Sequence, residues 1–283
     1  MFLPCLSTER PIPDYLIGNI PLHQHQRMKC QGPCEGLHVQ PFAWLDAEDA
    51  ACFTDGSLQT LTDEAGEVLA WRGAKPDLSK SMVAAHSFLI RHPWDLLRAN
   101  ERFVGTIPEP LAIHGDIHAS AVIEGVIHLG PGTRILPGVF IEGNVVIGAN
   151  CKIGPNCYLR GNTSIGDACH IGQAVEIKNS LILSRTSIGH LSYVGDSVLG
   201  EAVNFGAGTT ISNLRHDDQH HRSMVDGLLV NTGRRKFGAI IGDHVHTGIH
   251  TVIYPGRKLW PHTSTRPAEI VQRDVVGGGA VLP

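Results

Sequence analysis

Residues 117–177 read IHASAVIEGVIHLGPGTRILPGVFIEGNVVIGANCKIGPNCYLRGNTSIGDACHIGQAVEI, and every sixth position is Ile or Leu. The run is Ile117, Ile123, Leu129, Ile135, Ile141, Ile147, Ile153, Leu159, Ile165, Ile171 and Ile177. A period of six matches neither the 3.6-residue repeat of an amphipathic helix nor the alternation of an isolated strand. It matches a coil with three flat sides, each carrying one inward aliphatic residue, stacked layer on layer as a parallel β-helix. An ordinary aliphatic-rich sheet does not predict such an unbroken run at one spacing.

The rest of each hexad agrees. Gly follows the aliphatic residue in Leu129-Gly130, Ile147-Gly148, Ile153-Gly154, Ile165-Gly166 and Ile171-Gly172. These glycines read as tight corners with positive φ. Four residues after each aliphatic comes a small or β-branched residue: Thr133, Val139, Val145, Cys151, Cys157, Thr163, Cys169, Val175. Such side chains fill the narrow gap beside the large one in a thin triangular core. The three cysteines of this series therefore read as core residues and not as nucleophiles.

Composition narrows the function classes. The chain has 283 residues and a formal net charge of −4, so no global basic field favours nucleic acid. No run of 18 apolar residues is present, and no membrane partner is expected. The start, MFLPCLSTERPIPDY, lacks the basic and apolar regions of a secretory signal. Seven cysteines without such a signal point to reduced thiols and a cytoplasmic location.

Three regions follow from the pattern. Residues 1–105 lack the hexad and read as a small α+β region, with a hairpin at Leu58–Thr62 and Val68–Trp71. Pro93 opens a short helix running towards Phe103, with Trp94, Leu96 and Leu97 expected to anchor it against the start of the coil. Residues 106–267 form the β-helix, interrupted by a polar loop at 212–239, and 268–283 form a tail. Beyond Ile177 the aliphatic-Gly rhythm persists in Ile188-Gly189, Val194-Gly195, Leu199-Gly200 and Phe205-Gly206, and it returns at Ile241-Gly242. A solenoid commonly ejects a long loop on its functional face.

The densest polar cluster is GHLSYVGD (189–196), followed by NFGAGT (204–209). Upstream, Arg160 and Lys178 replace the usual Gly after an inward aliphatic, and they lie eighteen residues apart, one full turn. They should stack on one edge about 4.8 Å apart. Two cations that close repel unless something anionic lies near them, such as a phosphate.

GHLSYVGD, VNFGAGT and the later IIGD closely resemble the acetyltransferase domain of bacterial bifunctional glucosamine-1-phosphate N-acetyltransferase/N-acetylglucosamine-1-phosphate uridylyltransferase, over about residues 110–260. The resemblance implies a left-handed β-helix, a homotrimer with sites between neighbouring subunits, and acetyl-CoA as donor. It implies His190 as general base, and Arg160, Lys178, Tyr193, Asn204 and Lys236 as sugar-phosphate ligands. Ala207 and Asn213 fall at positions near acetyl-CoA. The chemistry suits these residues: an imidazole with an unperturbed pKa of about 6.5 can take a proton from the attacking amine. Backbone N–H groups at a Gly-rich corner can stabilise the thioester oxyanion.

The sequence also departs from that family. Ile249 stands where the family has a Ser, Leu214 where it has a Tyr, and the loop Arg215–Arg235 is much longer. Its His216, His220, His221, Arg222, Arg234 and Arg235 are candidates to close over CoA phosphates. Residues 1–105 lack the Gly-rich phosphate loop of a uridylyltransferase and are too few for one, so no nucleotidyl transfer is expected; a shortened remnant of that fold is the weaker reading. His23, His25, Cys30 and Cys34 supply four soft ligands, but not at a common zinc spacing, and no metal site is expected. The leading expectation is an N-acetyltransferase for an amino-sugar 1-phosphate, in nucleotide-sugar or cell-envelope polysaccharide synthesis. The rivals are a nucleotidyltransferase-related protein and a non-catalytic sugar-nucleotide-binding trimeric scaffold.

Overall fold

The computed structural model describes residues 3–29, 36–53, 58–107 and 113–277. From Asp116 onward the chain is a left-handed parallel β-helix. Among the described residues its three faces carry eight, seven and seven strands. Face A runs from Val122–Glu124 up to Ile270–Val271, face B from Ile127–Leu129 to Lys258–Leu259, and face C from Asp116–Ile117 to His246–Thr247. The chain visits them in the order C, A, B, so each turn passes one corner of each kind.

The inward ladder is as the hexad requires. Leu129 to Ile177 of the run are buried to 2% exposure or less, and so are Thr133, Val139, Val145, Cys151, Cys157, Thr163, Cys169 and Val175. Buried hydroxyls in this series are satisfied by the layers themselves: Thr133 Oγ1 donates to the Gly148 carbonyl at 2.6 Å and accepts from Cys151 N–H at 2.9 Å.

The glycines after the aliphatics serve a different purpose from the expected positive-φ corner. Of that set only Gly154 has positive φ. At Gly130 a Cβ would sit 2.6 Å from Ala149 N, and at Gly172 it would sit 1.9 Å from the Gly189 carbonyl. Close approach of the next layer's backbone excludes a side chain there. Left-handed corners instead fall three residues after the aliphatic, at Asn150, Asn156, Ala168 and Ala174.

Register confirms the eighteen-residue turn up to Ile177: Ile141 pairs with Leu159 and Leu159 with Ile177. Above it the turn shortens to seventeen, as Ile165 pairs with Ile182 and Ile177 with Val194. The coil also continues past the expected end at 267, because Ile270–Val271 pairs with Val252–Ile253 and Val275 bridges to Leu259. The 212–239 insertion holds its own antiparallel hairpin, Arg222–Val225 with Leu228–Asn231.

The N-terminal region contains helices α1 (Leu22–Lys29), α2 (Ala47–Ala51) and α3 (Pro93–Gly105), and a four-stranded sheet that includes the expected hairpin, Thr60–Thr62 with Val68–Arg72. Trp94, Leu96 and Leu97 of helix α3 do not pack at the start of the coil; they join Leu181, Leu183, Val198, Phe237 and Ile240 at middle and upper face B, while Val104 near the other end of α3 packs with Val146 on a lower rung. The outward face-B residues Val146, Leu181, Val198 and Ile240 are apolar, and the helix removes them from water. Face B is thus covered by the chain's own N-terminal region. His25 and His23 do not converge: His25 is buried against Trp44 and Phe103 with Nε2 on the Ile17 carbonyl, and His23 is exposed. Cys30 and Cys34 lie outside the described residues. No helix of the described residues is long and apolar enough to cross a membrane.

Burial lowers the His25 pKa to about 4. The unfolded imidazole takes its proton near pH 6.5, so between these values the unfolded chain holds more protons. The stability from neutral His25 is fully present above about pH 6.5 and is lost as pH falls towards 4, on the order of 3 kcal/mol at most. His25→Gln keeps a donor for Ile17 and removes the titration. Urea midpoints measured from pH 7 to 4 should fall less steeply for this variant than for the wild type.

Candidate functional site

Arg160 and Lys178 are register partners on adjacent layers of face A, at its corner with face B, as the eighteen-residue count requires. The anion beside them, however, comes from the chain itself. Arg160 Nε and Nη2 donate to Glu176 Oε1 at 2.8 and 2.6 Å, and Lys178 Nζ donates to Asp196 Oδ2 at 2.8 Å. The two pairs differ in burial. Arg160 and Glu176 are each about one-third exposed, whereas the Asp196 side chain is 4% exposed and Lys178 16%. An exposed pair contributes little and can change partners cheaply, whereas breaking a buried pair leaves a costly unpaired charge. Arg160 can therefore part from Glu176 at little cost, whereas Lys178 is held.

Asp196 gathers the corner. Beyond Lys178 it accepts from Asn179 Nδ2 at 2.9 Å and from Asn213 Nδ2. It occupies the left-handed corner after Tyr193–Gly195. Tyr193 projects from face A in register with Glu176, and its hydroxyl lies over Gly195, where a Cβ would meet it at 2.5 Å. Burial first, then Asp196 and Glu176, push the Tyr193 pKa up. Lys236 is exposed and forms an antiparallel bridge with Leu214, which closes the neck of the long loop beside Asn213.

His190, Ala207 and Asn204 lie elsewhere. His190 is exposed at the end of Ser187–His190, on the corner between faces C and A. Ala207 lies one layer above, linked by Gly208 N–H to the His190 carbonyl at 3.1 Å, and Ile249 one layer higher, through His250 N–H to the Ala207 carbonyl at 2.7 Å. Asn204 is exposed on face C between Ser187 and His246. Within one chain, then, the eight candidate residues split across face A. Arg160, Lys178, Asn213 and Lys236 cluster at one edge, His190, Ala207 and Asn204 at or near the other, and Tyr193 lies between. The two residues expected near acetyl-CoA, Ala207 and Asn213, are on opposite edges.

The long loop is paired internally more than it is poised over a ligand. Arg215 pairs with Asp217, Arg235 with Asp218, and Arg234 with Glu101. His221 is buried, with Nε2 on the Asn213 carbonyl at 3.2 Å, and burial lowers its pKa. His216, His220 and Arg222 are exposed, and an open cavity of about 520 Å³ is lined by Arg215, Asp217, Asp218, His220, Arg222 and Arg235.

Sequence reasoning missed the acids, Glu176 and Asp196, and the ties Asn179 and Glu101. Glu176 and Asp196 were visible, since each lies two positions from, or eighteen beyond, a quoted cation. Glu101 had no such signal.

Comparison with known proteins agrees with the coil. The family model described as the GMPPB C-terminal domain matches residues 141–266. A bifunctional sugar-1-phosphate nucleotidylyltransferase/acetyltransferase of Sulfurisphaera tokodaii is 51% identical over 102 residues, 36% of this chain and 25% of that protein. The bifunctional protein GlmU of Methanococcus maripaludis strain C7 is 50% identical over 186 residues, 66% of this chain and 44% of that protein. The chain thus matches less than half the length of these curated relatives. A UDP-N-acetylglucosamine O-acyltransferase structure from Moraxella catarrhalis is 13% identical, with a TM-score of 0.36, over 56% of this chain and 70% of that one. Over the coil, the chain is similar to these bifunctional nucleotidylyltransferase/acetyltransferase and GlmU relatives.

The contrast in burial predicts a contrast in stability. Asp196→Ala should destabilise the fold by about 3–5 kcal/mol in urea titrations, and Glu176→Ala by about 1 kcal/mol or less.

Proposed function

We propose that the chain is an acetyl-CoA-dependent N-acetyltransferase for an amino-sugar 1-phosphate of the glucosamine-1-phosphate kind, working in the cytoplasm as a homotrimer. The split of candidate residues across face A carries this reading. A 2-amino-sugar 1-phosphate bears its amine and phosphate on neighbouring ring carbons, so its base and its phosphate ligands must lie close together. The three residues of a face-A strand span roughly 10 Å, which keeps the His190 corner and the Arg160 corner of one chain apart. Apposing the His190 corner of one copy to the Arg160 corner of the next would complete the site. Face B, covered by the N-terminal region, leaves faces A and C for that contact.

In this arrangement Arg160 leaves Glu176 for the sugar phosphate, while Lys178 adds charge from its fixed place beside Asp196. His190 takes the amine proton as nitrogen attacks the thioester carbonyl. Gly206 and Gly208 N–H are held by the Thr247 and His190 carbonyls, which leaves the Ala207 N–H between them, one layer above the base, to receive the developing oxyanion. The tetrahedral adduct then collapses with cleavage of the C–S bond, and the departing CoA sulfur takes the proton back from His190, with no covalent enzyme intermediate. Lys236, Asn204 and Tyr193 would line the sugar, and Ala207 and Asn213 the donor.

A second reading, a sugar-nucleotide-binding scaffold without turnover, is favoured by two observations: both cations carry internal partners, and Ile249 brings no hydroxyl to the base's edge. A CoA-release assay across glucosamine 1-phosphate, galactosamine 1-phosphate and related amino sugars separates the two. Transfer predicts release with at least one acceptor, a fall of about 100-fold or more in kcat for His190→Ala, and a raised KM for the phosphate in Arg160→Ala. Binding of an amino-sugar phosphate without release by the wild type would select the scaffold. Light scattering of the purified protein should give a mass of three chains, and a monomer would remove the shared site.

A further inference from the structure

We infer that Glu101, on helix α3 of the N-terminal region, is a positioning residue for the candidate site. It fixes Asn179 and the returning arm of the long loop around Asp196. Its use in catalysis rests on the acetyltransferase reading above; the latch itself does not.

The contacts form one continuous chain. Glu101 Oε2 accepts from Arg234 Nη1 at 2.9 Å, and Oε1 accepts from Arg234 Nη2 and from Asn179 Nδ2. The same Asn179 Nδ2 donates to Asp196 Oδ1 at 2.9 Å, and Asp196 Oδ2 takes Lys178 Nζ and Asn213 Nδ2. Arg234 stands near the end of the loop that begins at Asn213, and the Phe237 N–H returns to the Asn213 carbonyl at 3.0 Å. The start of the loop is therefore tied to Asp196 and its end to Glu101, and Asn179 joins the two carboxylates.

The anchor is rigid. Asn100, next to Glu101, is fully buried, accepts from Gly18 N–H at 3.0 Å and from Ser164 Oγ, and donates to the Asn162 carbonyl at 3.1 Å. These bonds pin α3 to face B, so Glu101 presents its carboxylate from a fixed platform. Charge fixes the arrangement as well. Two carboxylates, Glu101 and Asp196, balance Arg234 and Lys178 in a partly buried corner, and Arg234 is 15% exposed. Neutralising Glu101 leaves the guanidinium without its charged bidentate partner and weakens the hold on Asn179, which bridges to Asp196. The N-terminal region, on this view, is part of the transfer site's second layer of support and not a detached appendage.

The test uses the full chain with Glu101→Gln, Arg234→Gln and the double variant, each first checked for a wild-type melting curve. Hydrogen exchange of the amides in 213–237 and steady-state CoA release against glucosamine 1-phosphate are then measured. Each single variant should speed loop exchange and raise KM for the sugar phosphate about five- to tenfold, with kcat falling less than about threefold. The double variant should be no worse than the worse single one, because one interaction is lost in all three. Unchanged exchange and KM, additive losses in the double variant, or an equal fall in kcat with KM unmoved would overturn the inference. If Glu101→Gln does not fold, Arg234→Gln carries the test from the loop side. If the wild type neither binds glucosamine 1-phosphate nor releases CoA, the acetyltransferase reading fails, and loop exchange alone then supports or overturns the latch.

Discussion

Backbone hydrogen bonds between successive layers hold every outward residue of this protein one strand spacing from its counterparts above and below. They run without interruption through the described coil, from Asp116 N–H on the Thr133 carbonyl to Tyr254 N–H on the Val271 carbonyl, mostly near 2.9 Å. The aliphatic ladder inside keeps the layers in register, because a one-residue slip would turn an inward Ile to solvent. Side-chain chemistry on the surface is then decided by arithmetic along the chain. Glycine at Gly130 and Gly172 is the cost of that spacing, since the adjacent backbone approaches too closely for a Cβ.

The same spacing would force Arg160 and Lys178 into repulsion, and the protein resolves it with its own acids. The resolution is uneven. One pair is at the surface and exchangeable, while the other is buried within a corner that also holds Asn179, Asn213 and, through them, the N-terminal helix and the long loop.

Much of the coil was legible from residues alone. Inward positions, the eighteen-residue turn and the stacking of Arg160 under Lys178 all follow from a constant period, and each is found where the count puts it. Errors arose where a local rule was applied to a contact between layers. Gly130 and Gly172, expected as positive-φ corners, are instead crowded from the next turn, and the coil expected to end at residue 267 continues through Ile270 and Val271. Pairing depends on the partner strand, which a local breaker such as proline does not reveal.

From the sequence by itself came the repeat and the identity of the core, because periodic burial leaves its mark at every sixth residue. Only the tertiary structure decided which side of the coil the N-terminal helix covers and which carboxylates neutralise which cations. It alone placed His190 and the Arg160–Lys178 pair on opposite edges of face A. Those outcomes depend on contacts between residues far apart in the chain, such as Glu101 with Arg234, 133 positions away, where no spacing rule links one partner to the other.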